Sequence, residues 1–200
     1  NEKHKLEYVP FCIDTDFWQS SNDYKVKNNI LFIGNDGKRD YKLVKTIANK
    51  LENFNTTLIS RRINNNGLDS SVKLINTSWK SNDITDTELK NFYEDAALVF
   101  LPLVNSLQPS GQSVTLQAMS MGVPVIISDT EGFWDRNNLV SDKNIFLIKN
   151  LNADEWVSKI NTLINDKEAL SNISLESKKV VNNFYKKDIL IKRLSELVIS

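Results

Sequence analysis

Short, uninterrupted apolar runs recur along this sequence, and they constrain its fold more than any other feature. The runs are ILFIG (30–34), TTLIS (56–60), VKLIN (72–76), ALVFL (97–101), PVIIS (124–128) and NIFLI (144–148). A run of this length without polar alternation is typical of a strand buried on both faces, as in a parallel sheet covered by helices. The sequence therefore predicts an α/β fold with a parallel sheet of about six strands and helices on both faces.

Segments with helical periodicity separate and follow these runs. They are a helix burying Leu43, Val44, Ile47, Leu51 and Phe54, a helix beginning with Thr85 and Glu88 at capping-box spacing, a helix burying Val114, Ala118 and Met121, and three helices at 153–164, 168–183 and 188–199. Right-handed crossovers favour the doubly wound, Rossmann-like strand order 3-2-1-4-5-6. We divide the chain into an entry segment (1–28), a Rossmann-like domain (29–183) and a C-terminal helix (184–200).

Charge and cysteine content exclude several classes of protein. The 25 basic and 25 acidic residues balance, which argues against a nucleic-acid-binding protein. The single cysteine, Cys12, cannot form an intrachain disulfide and favours a reducing, cytoplasmic compartment. The longest apolar run, 96–103, is far shorter than the roughly 20 residues that span a bilayer. The polar opening does not resemble a signal peptide, and because it lacks a methionine we expect a portion upstream.

Two loops are candidates for a ligand site. In the predicted strand order, ligands bind beyond the carboxyl ends of strands one and four. The loops at this point are GNDGKRDY (34–41) and PLVNSLQPSGQS (102–113). The first brings Lys38 and Arg39, and the second leads into a helix N-terminus, whose free N–H groups favour an anion. Ser110 and Gly111 are small enough for close approach of a ligand, so these loops predict a phosphate or diphosphate site.

A structural interpretation of the same residues stays open. Lys38 and Arg39 could be a solvated helix start, and Ser110 and Ser113 could be ordinary N-cap residues. The loop GNDG is not the G-x-G-x-x-G dinucleotide motif, and no P-loop lysine motif is present. Ser113 and Gln117, four residues apart, share one helix face, where an amide could hold a pair of sugar hydroxyls.

Two further patterns could suggest metal binding or acid–base chemistry. Asp14 and Asp16 have the spacing of a carboxylate pair, but they lie outside the alternating core. The only histidine, His4, lies at the terminus. We expect no metal ion at this pair and no catalytic role for His4.

These motifs resemble a known family. The segment SGQSVTLQAMSMGVPVIIS (110–128) resembles the E-G-(F/S)-G-x-x-x-x-E-A-M-A-x-G-x-P-V signature of family 4 (group 1) retaining glycosyltransferases, which have the GT-B fold. PFCIDTDFW (10–18) is similar to the G-V-D-x-x-x-F segment that opens their C-terminal domain. ILFIGNDGKRDY (30–41) looks like their first strand with its phosphate-binding loop, and NNFYKKDI (182–189) is similar to their terminal helices.

The resemblance implies roles for individual residues. Lys38 and Arg39, with Gly34 and Asn35, would bind the diphosphate of a nucleotide-sugar donor. The segment Ser110, Gly111, Gln112 and Ser113 would face the donor phosphates and sugar, and Gln117 would bind the ribose. Trp79, after the third strand, is a candidate for stacking on the base. Gln117 and Pro109 stand where the signature has glutamates, and Asn35 stands where many members have arginine.

The resemblance also implies a partner domain. GT-B enzymes carry the acceptor site and a catalytic histidine on a first domain, so this chain would be the donor-binding half of a bacterial polysaccharide-biosynthesis glycosyltransferase, inactive alone. The resemblance thus implies no catalytic residue in this chain, and no metal ion or cofactor besides the nucleotide-sugar donor. The whole protein could contact a membrane peripherally. Two other interpretations stay open: a degenerate, non-catalytic GT-B domain that binds or assembles with a partner, and a flavodoxin-like domain for another phosphorylated ligand. We also expect Arg39→Ala to weaken nucleotide binding with little change in melting temperature.

Overall fold

The computed structural model describes residues 9–20, 27–77, 83–149 and 152–199, and six strands of this part form one sheet. The strands are β1 (Asn29–Ile33), β2 (Asn55–Ile59), β3 (Val72–Ile75), β4 (Leu98–Leu101), β5 (Val125–Ser128) and β6 (Phe146–Ile148). All pairings are parallel, in the order β3-β2-β1-β4-β5-β6. The predicted fold class and strand order are therefore confirmed.

Helices connect the strands and complete the chain. They are α1 (Tyr41–Lys50), α2 (Asp86–Glu94), α3 (Gln112–Ser120), α4 (Ala153–Asn165), α5 (Lys167–Phe184) and α6 (Lys187–Ile199). The capping box of Thr85 and Glu88 is present at the start of α2. No helix in the described ranges is both long and apolar enough to cross a membrane.

Helix α1 is shorter than its apolar pattern predicts. It ends at Lys50, with Leu51 as its C-cap residue. Leu51 is nevertheless buried, and Phe54 packs against the core from the following turn. These two residues are apolar because the turn before β2 covers the sheet, so apolar spacing alone overestimates the helix length.

Helix α3 is enclosed between the sheet and α5, and this explains its small side chains. Six of its residues are buried: Val114, Thr115, Leu116, Ala118, Met119 and Ser120. The predicted inward residues Val114, Ala118 and Met121 are all buried, but the buried surface extends around most of the helix. Since little of α3 faces solvent, its N-terminus is held in a fixed position at the edge of the sheet.

The segment before β1 packs onto the domain. Ile13 forms a parallel bridge with Lys186, and its N–H and carbonyl bond Tyr185 and Lys187. Trp18 is buried against the edge of the Tyr93 ring. These contacts attach the entry segment both to the core and to the α5–α6 junction. The boundaries that we assign to the three parts of the chain stay predictions.

Candidate functional site

The loops after β1 and β4 lie side by side at the carboxyl edge of the sheet. Arg39 forms a bridge with Leu103, the Val104 N–H donates to the Lys38 carbonyl at 3.0 Å, and the Asp40 N–H donates to the Pro102 carbonyl at 3.0 Å. The two loops predicted to share a site are thus joined by backbone hydrogen bonds. Their contact holds Lys38 and Arg39 beside the start of the 102–113 loop.

A pocket of about 220 Å³ opens between these loops. It is lined by Phe11, Asp36, Lys38, Gln108, Pro109, Ser110, Gly111, Gln112 and Ser113. The predicted donor loop 110–113 and Lys38 therefore surround one depression. Arg39, Gly34, Asn35 and Gln117 are not among the lining residues.

Arg39 lies behind the pocket wall and is buried. Its Nη1 donates to Ser110 Oγ at 2.7 Å and lies 3.0 Å from Asp36 Oδ2, while its buried Nε has no hydrogen-bond partner. Burial lowers the pKa of the Arg39 guanidinium, and the negative charge of Asp36 opposes that shift. Because this side chain packs inside the protein, its burial argues against an unchanged melting temperature, and we expect Arg39→Ala to lower it.

Gly34 makes room for this arginine. A Cβ at Gly34 would lie 2.7 Å from Arg39 Nε and 2.8 Å from Arg39 Cγ, closer than real Cβ contacts allow. The glycine is thus required by the packing of Arg39 against the end of β1. This is a structural reason for Gly34, and its predicted role at a diphosphate stays a prediction.

Asp36 connects the two loops from the pocket side. Its Oδ2 accepts a hydrogen bond from Ser110 Oγ at 3.1 Å and pairs with Arg39, and its Oδ1 accepts from the Lys38 N–H at 2.7 Å. The Tyr41 hydroxyl donates to the Asp36 carbonyl at 2.5 Å. Burial, and secondarily the Asp36 charge, raises the pKa of Tyr41 to about 12. Asp36 lies inside the loop GNDGKRDY (34–41), but no sequence motif marks it as a site residue.

Lys38 is the cation that lines the pocket. Its side chain is partly exposed, and among the described residues none forms an ion pair with it. The adjacent cations Lys38 and Arg39 thus differ: Lys38 faces the pocket, and Arg39 holds the pocket wall together. Of the two, Lys38 is the better placed to meet a ligand.

The N-terminus of α3 closes the opposite side of the pocket. Its N-cap is Gly111, with φ 85° and no side-chain capping bond. The alternative that Ser110 or Ser113 caps the helix is wrong, since neither occupies the N-cap position. The left-handed φ favours glycine, and a Cβ there would lie 3.1 Å from Ile127 Cδ1. Within the part of the chain that the structure describes, no side chain caps this helix start.

Asn35 points along the sheet edge. Its Nδ2 donates to the Thr77 carbonyl at 3.1 Å, and its Oδ1 accepts from the Arg61 N–H at 2.8 Å. These bonds tie the end of β1 to the ends of β2 and β3. The predicted diphosphate role of Asn35 would require this amide to exchange partners.

Gln117 lies one turn below the pocket. Its Oε1 accepts a hydrogen bond from the hydroxyl of Tyr93 at 3.0 Å. Tyr93 is fully buried, and burial raises its pKa. Gln117 is partly exposed and its predicted ribose contact stays a prediction. Trp79, the candidate for base stacking, lies outside the described residues, as does His4.

The loop after β5 is fastened to the loop after β4. Asn105 Nδ2 donates to Glu131 Oε1 at 2.7 Å, the Glu131 N–H donates to Asn105 Oδ1 at 3.0 Å, and the Gly132 N–H donates to the Ser106 carbonyl at 2.8 Å. Farther along the β5 loop, Arg136 pairs with Asp129. No sequence motif marks this third loop.

Asp14 and Asp16 are engaged by a lysine. Lys187 Nζ lies 2.9 Å from Asp14 Oδ1 and 2.8 Å from Asp16 Oδ2. Over the stretches of chain that the structure describes, no group of three or more His, Cys, Asp or Glu side chains could hold a metal ion. The pair therefore has a structural explanation at the junction with α6.

Comparison with known proteins identifies the family. The sequence profile of the family described as "Glycosyl transferases group 1" matches residues 27–166, and the chain belongs to this family. Among curated protein sequences, none matches the chain significantly. The resemblance drawn from the signature residues is thus confirmed at the level of the family.

Solved structures show the same fold at low sequence identity. Sucrose-phosphate synthase from Thermosynechococcus elongatus has a TM-score of 0.77 at 15% identity, over 95% of this chain and 51% of that one. Anabaena Alr3699/HepE in complex with UDP and glucose has a TM-score of 0.74 at 15% identity, over 96% and 56%. The C-terminal domain of a group 1 glycosyl transferase (LpcC) from Francisella tularensis has a TM-score of 0.66 at 17% identity, over 87% and 98%.

These comparisons fix the type of domain. The chain spans about half the length of the synthase and HepE chains, whereas it matches nearly all of the isolated LpcC C-terminal domain. The predicted GT-B C-terminal fold is therefore confirmed, and the similar proteins are bacterial, as expected.

Proposed function

We propose that this chain is the donor-binding C-terminal domain of a retaining glycosyltransferase that transfers a hexose from a nucleoside-diphosphate sugar to a glycan, lipid or small acceptor. The observation that carries the proposal is the pocket formed by Lys38 on one side and the uncapped N-terminus of α3 on the other. An ammonium group and a helix N-terminus both favour an anion, and their convergence on one depression suits a diphosphate.

In this proposal the pocket stabilises the leaving diphosphate electrostatically. Lys38 and the dipole of α3 neutralise the charge that develops as the glycosidic bond breaks, without a metal ion or another cofactor. The acceptor and the groups that act on it belong to a second domain, which whole enzymes of this fold place across the cleft. The chain alone then binds donor but transfers sugar poorly, and the whole enzyme works in the cytoplasm with peripheral membrane contact.

The similar structures support this assignment. The Anabaena protein Alr3699/HepE has been solved in complex with UDP and glucose and in complex with UDP-glucose. Because the sheet order and the positions of the carboxyl-edge loops follow from the shared fold, a UDP-type donor is a sensible first probe for this chain.

Calorimetric titration with UDP, GDP and ADP, first in EDTA and then with magnesium, tests the proposal. We expect one nucleotide to bind in EDTA, and Lys38→Ala to weaken that binding by about tenfold to a hundredfold, as for loss of a charged hydrogen-bond donor. Lys42→Ala, which removes an exposed lysine of α1 outside the pocket, is the matched control and should bind normally. Absence of binding by all three nucleotides would contradict a donor site and favour a non-catalytic domain.

A further inference from the structure

A second cavity lies at the opposite edge of the sheet, where β1, β2 and β3 begin. Asn29 and Asn55, the first residues of β1 and β2, line it together with Asp95, the C-cap residue of α2. Because β1 has 5 residues and a strand rises about 3.3 Å per residue, this edge lies roughly 15 Å from the carboxyl edge. The amino-edge cavity is therefore separate from the pocket lined by Lys38.

The size and lining of the amino-edge cavity limit what it can hold. Its volume is about 510 Å³, within the roughly 300–1,000 Å³ of small-molecule sites. Such sites are usually lined by hydrophobic and aromatic side chains, whereas every described residue around this cavity is polar or charged. This lining disfavours a base, a flavin or a lipid chain, and it favours a ligand rich in hydroxyl groups.

The asparagine amides at this edge are free to bind such hydroxyls. The fold uses Asn29 Oδ1, which accepts from the Thr57 hydroxyl at 3.0 Å, and the backbone carbonyl of Asn28, which accepts from the Asn55 N–H at 2.9 Å. Over the described ranges, the side-chain amides of Asn28 and Asn55 have no hydrogen-bond partner. Since an amide both donates and accepts, each of these two can bind a sugar hydroxyl.

Thr56 points to the same kind of ligand. It lines the cavity and is 2% exposed, and its hydroxyl is buried without a hydrogen-bond partner among the described residues. Its neighbour Thr57, in contrast, is bonded to Asn29. Because burial removes the bond to water, buried polar groups normally have a partner within the protein or in a ligand.

The charges around the cavity favour one anionic group on the ligand. Lys27 and Lys73 line it with Asp95, and in the part of the chain that the structure describes none of the three forms an ion pair. The Nζ of Lys73 lies 5.8 Å from the centre of the Phe92 ring. Two ammonium groups against one carboxylate leave a net positive charge, which a carboxylate or phosphate would neutralise.

We propose that the amino-edge cavity is a second ligand site, which binds an acidic sugar, that is, a hydroxyl-rich ring carrying one carboxylate or phosphate. The anionic group lies near Lys27 and Lys73, and the ring hydroxyls bind the asparagine amides and Asp95. This inference goes beyond the proposed function and does not rest on it, because the two sites lie at opposite edges of the sheet.

Nuclear magnetic resonance titration of the full chain tests the proposal. The probes are glucuronate and glucose 6-phosphate, with glucose and inorganic phosphate as probes that carry only one of the two features. We expect the acidic sugars to shift the backbone amide signals of residues 27–29, 55–57 and 71–73. Glucose and phosphate should each bind at least about tenfold more weakly, since each lacks part of the contacts. The tighter of the two acidic sugars identifies the anionic group as carboxylate or phosphate.

Two substitutions test the residues assigned to the site. Lys73→Gln should weaken binding of the acidic sugars by about tenfold, as for loss of a charged hydrogen-bond donor, and Asn55→Ala by about fivefold, as for loss of a neutral one. Lys192→Gln and Asn183→Ala are the matched controls, because both residues are exposed and lie outside the cavity. Circular dichroism on every variant confirms that it is folded.

Several results would overturn the inference. They are no shift at the amino edge with either acidic sugar at millimolar concentration, glucose binding as tightly as the acidic sugars, phosphate binding as tightly as glucose 6-phosphate, and unchanged affinity in Lys73→Gln. The location of the shifted signals also separates this site from the pocket of Lys38. Failure of nucleotide binding there would contradict the proposed function and leave this inference standing, and the converse holds as well.

Discussion

Two arginine–aspartate pairs lie at the carboxyl edge of the sheet, and they are built in opposite ways. In the pair after β1, the Arg39 side chain is 3% exposed and that of Asp36 is 46% exposed. In the pair after β5, the Arg136 side chain is 50% exposed and that of Asp129 is 11% exposed. One pair therefore presents a carboxylate to the surface, and the other presents a guanidinium.

This difference in exposure predicts which member of each ion pair costs more stability when it is removed. Removing the exposed member leaves the buried charge without its partner, which costs more than removing the buried member. The residue left behind is more deeply buried in the first pair, since Arg39 is 3% exposed and Asp129 is 11% exposed. We therefore expect the Arg39 pair to be the more sensitive of the two, although the residue to be removed there, Asp36, is half exposed.

Asp36→Ala should produce the largest loss of stability. It leaves the guanidinium of Arg39 buried with Ser110 as its remaining hydrogen-bond acceptor, so the free energy of unfolding should fall by about 3–5 kcal/mol. Urea denaturation followed by circular dichroism measures this. The double variant Asp36→Ala/Arg39→Met removes the stranded charge as well and should recover much of the loss. A double variant as unstable as the single one would contradict the explanation.

Arg136→Ala should have a smaller effect. Its guanidinium also donates to the Thr130 carbonyl at 2.7 Å and lies 5.5 Å from the centre of the Phe133 ring, but the side chain that its removal leaves unpaired, Asp129, is 11% exposed, against 3% for Arg39. We expect a loss of about 1 kcal/mol, at the upper end for a surface pair, in the same urea experiment. A loss equal to that of Asp36→Ala would show that the two pairs do not differ as their exposures indicate.

Tyr41→Phe should have the smallest effect on stability at neutral pH. The Tyr41 hydroxyl donates a hydrogen bond to the Asp36 carbonyl, so this residue belongs to the surroundings of the Arg39–Asp36 pair. Burial, then the Asp36 charge, raises its pKa from 10.0 to about 12. A folded-state pKa above the unfolded value stabilises the protein below pH 10, and this contribution disappears as the pH rises from about 10 to about 12. Tyrosinate absorbance during alkaline titration should show late ionisation that Tyr41→Phe removes. An unchanged titration curve in Tyr41→Phe would contradict this.

Much of the fold could be predicted because burial leaves a simple pattern in the sequence. Strands that are buried on both faces appear in the sequence as continuous apolar runs. Right-handed crossover connections then limit the possible orders of these strands in the sheet. The ends of helices are predicted less accurately. Leu51 and Phe54 are apolar because a turn, and not a helix, covers the core there. Apolar spacing reports burial, and it reports helix length only indirectly.

The site was predicted less completely, for a physical reason. The position of the pocket follows from the topology, and Lys38 and the 110–113 loop line it as predicted. Arg39 is buried and Lys38 lines the pocket because the Arg39 side chain packs against Gly34. The sequence shows only two adjacent cations, so it does not predict which of them is buried. Phe11 and Asp36 were missed because their importance comes from contacts between distant segments. The functional roles of all these residues stay predictions.

The bridge between Ile13 and Lys186 has a mechanical consequence. The two segments run parallel, so tension applied at residues 9 and 199 pulls them in opposite directions along their length. Both backbone bonds of the bridge, and the ion pairs of Lys187 with Asp14 and Asp16, are then loaded together in shear. Sliding the entry segment along the α5–α6 junction therefore requires these contacts to break together.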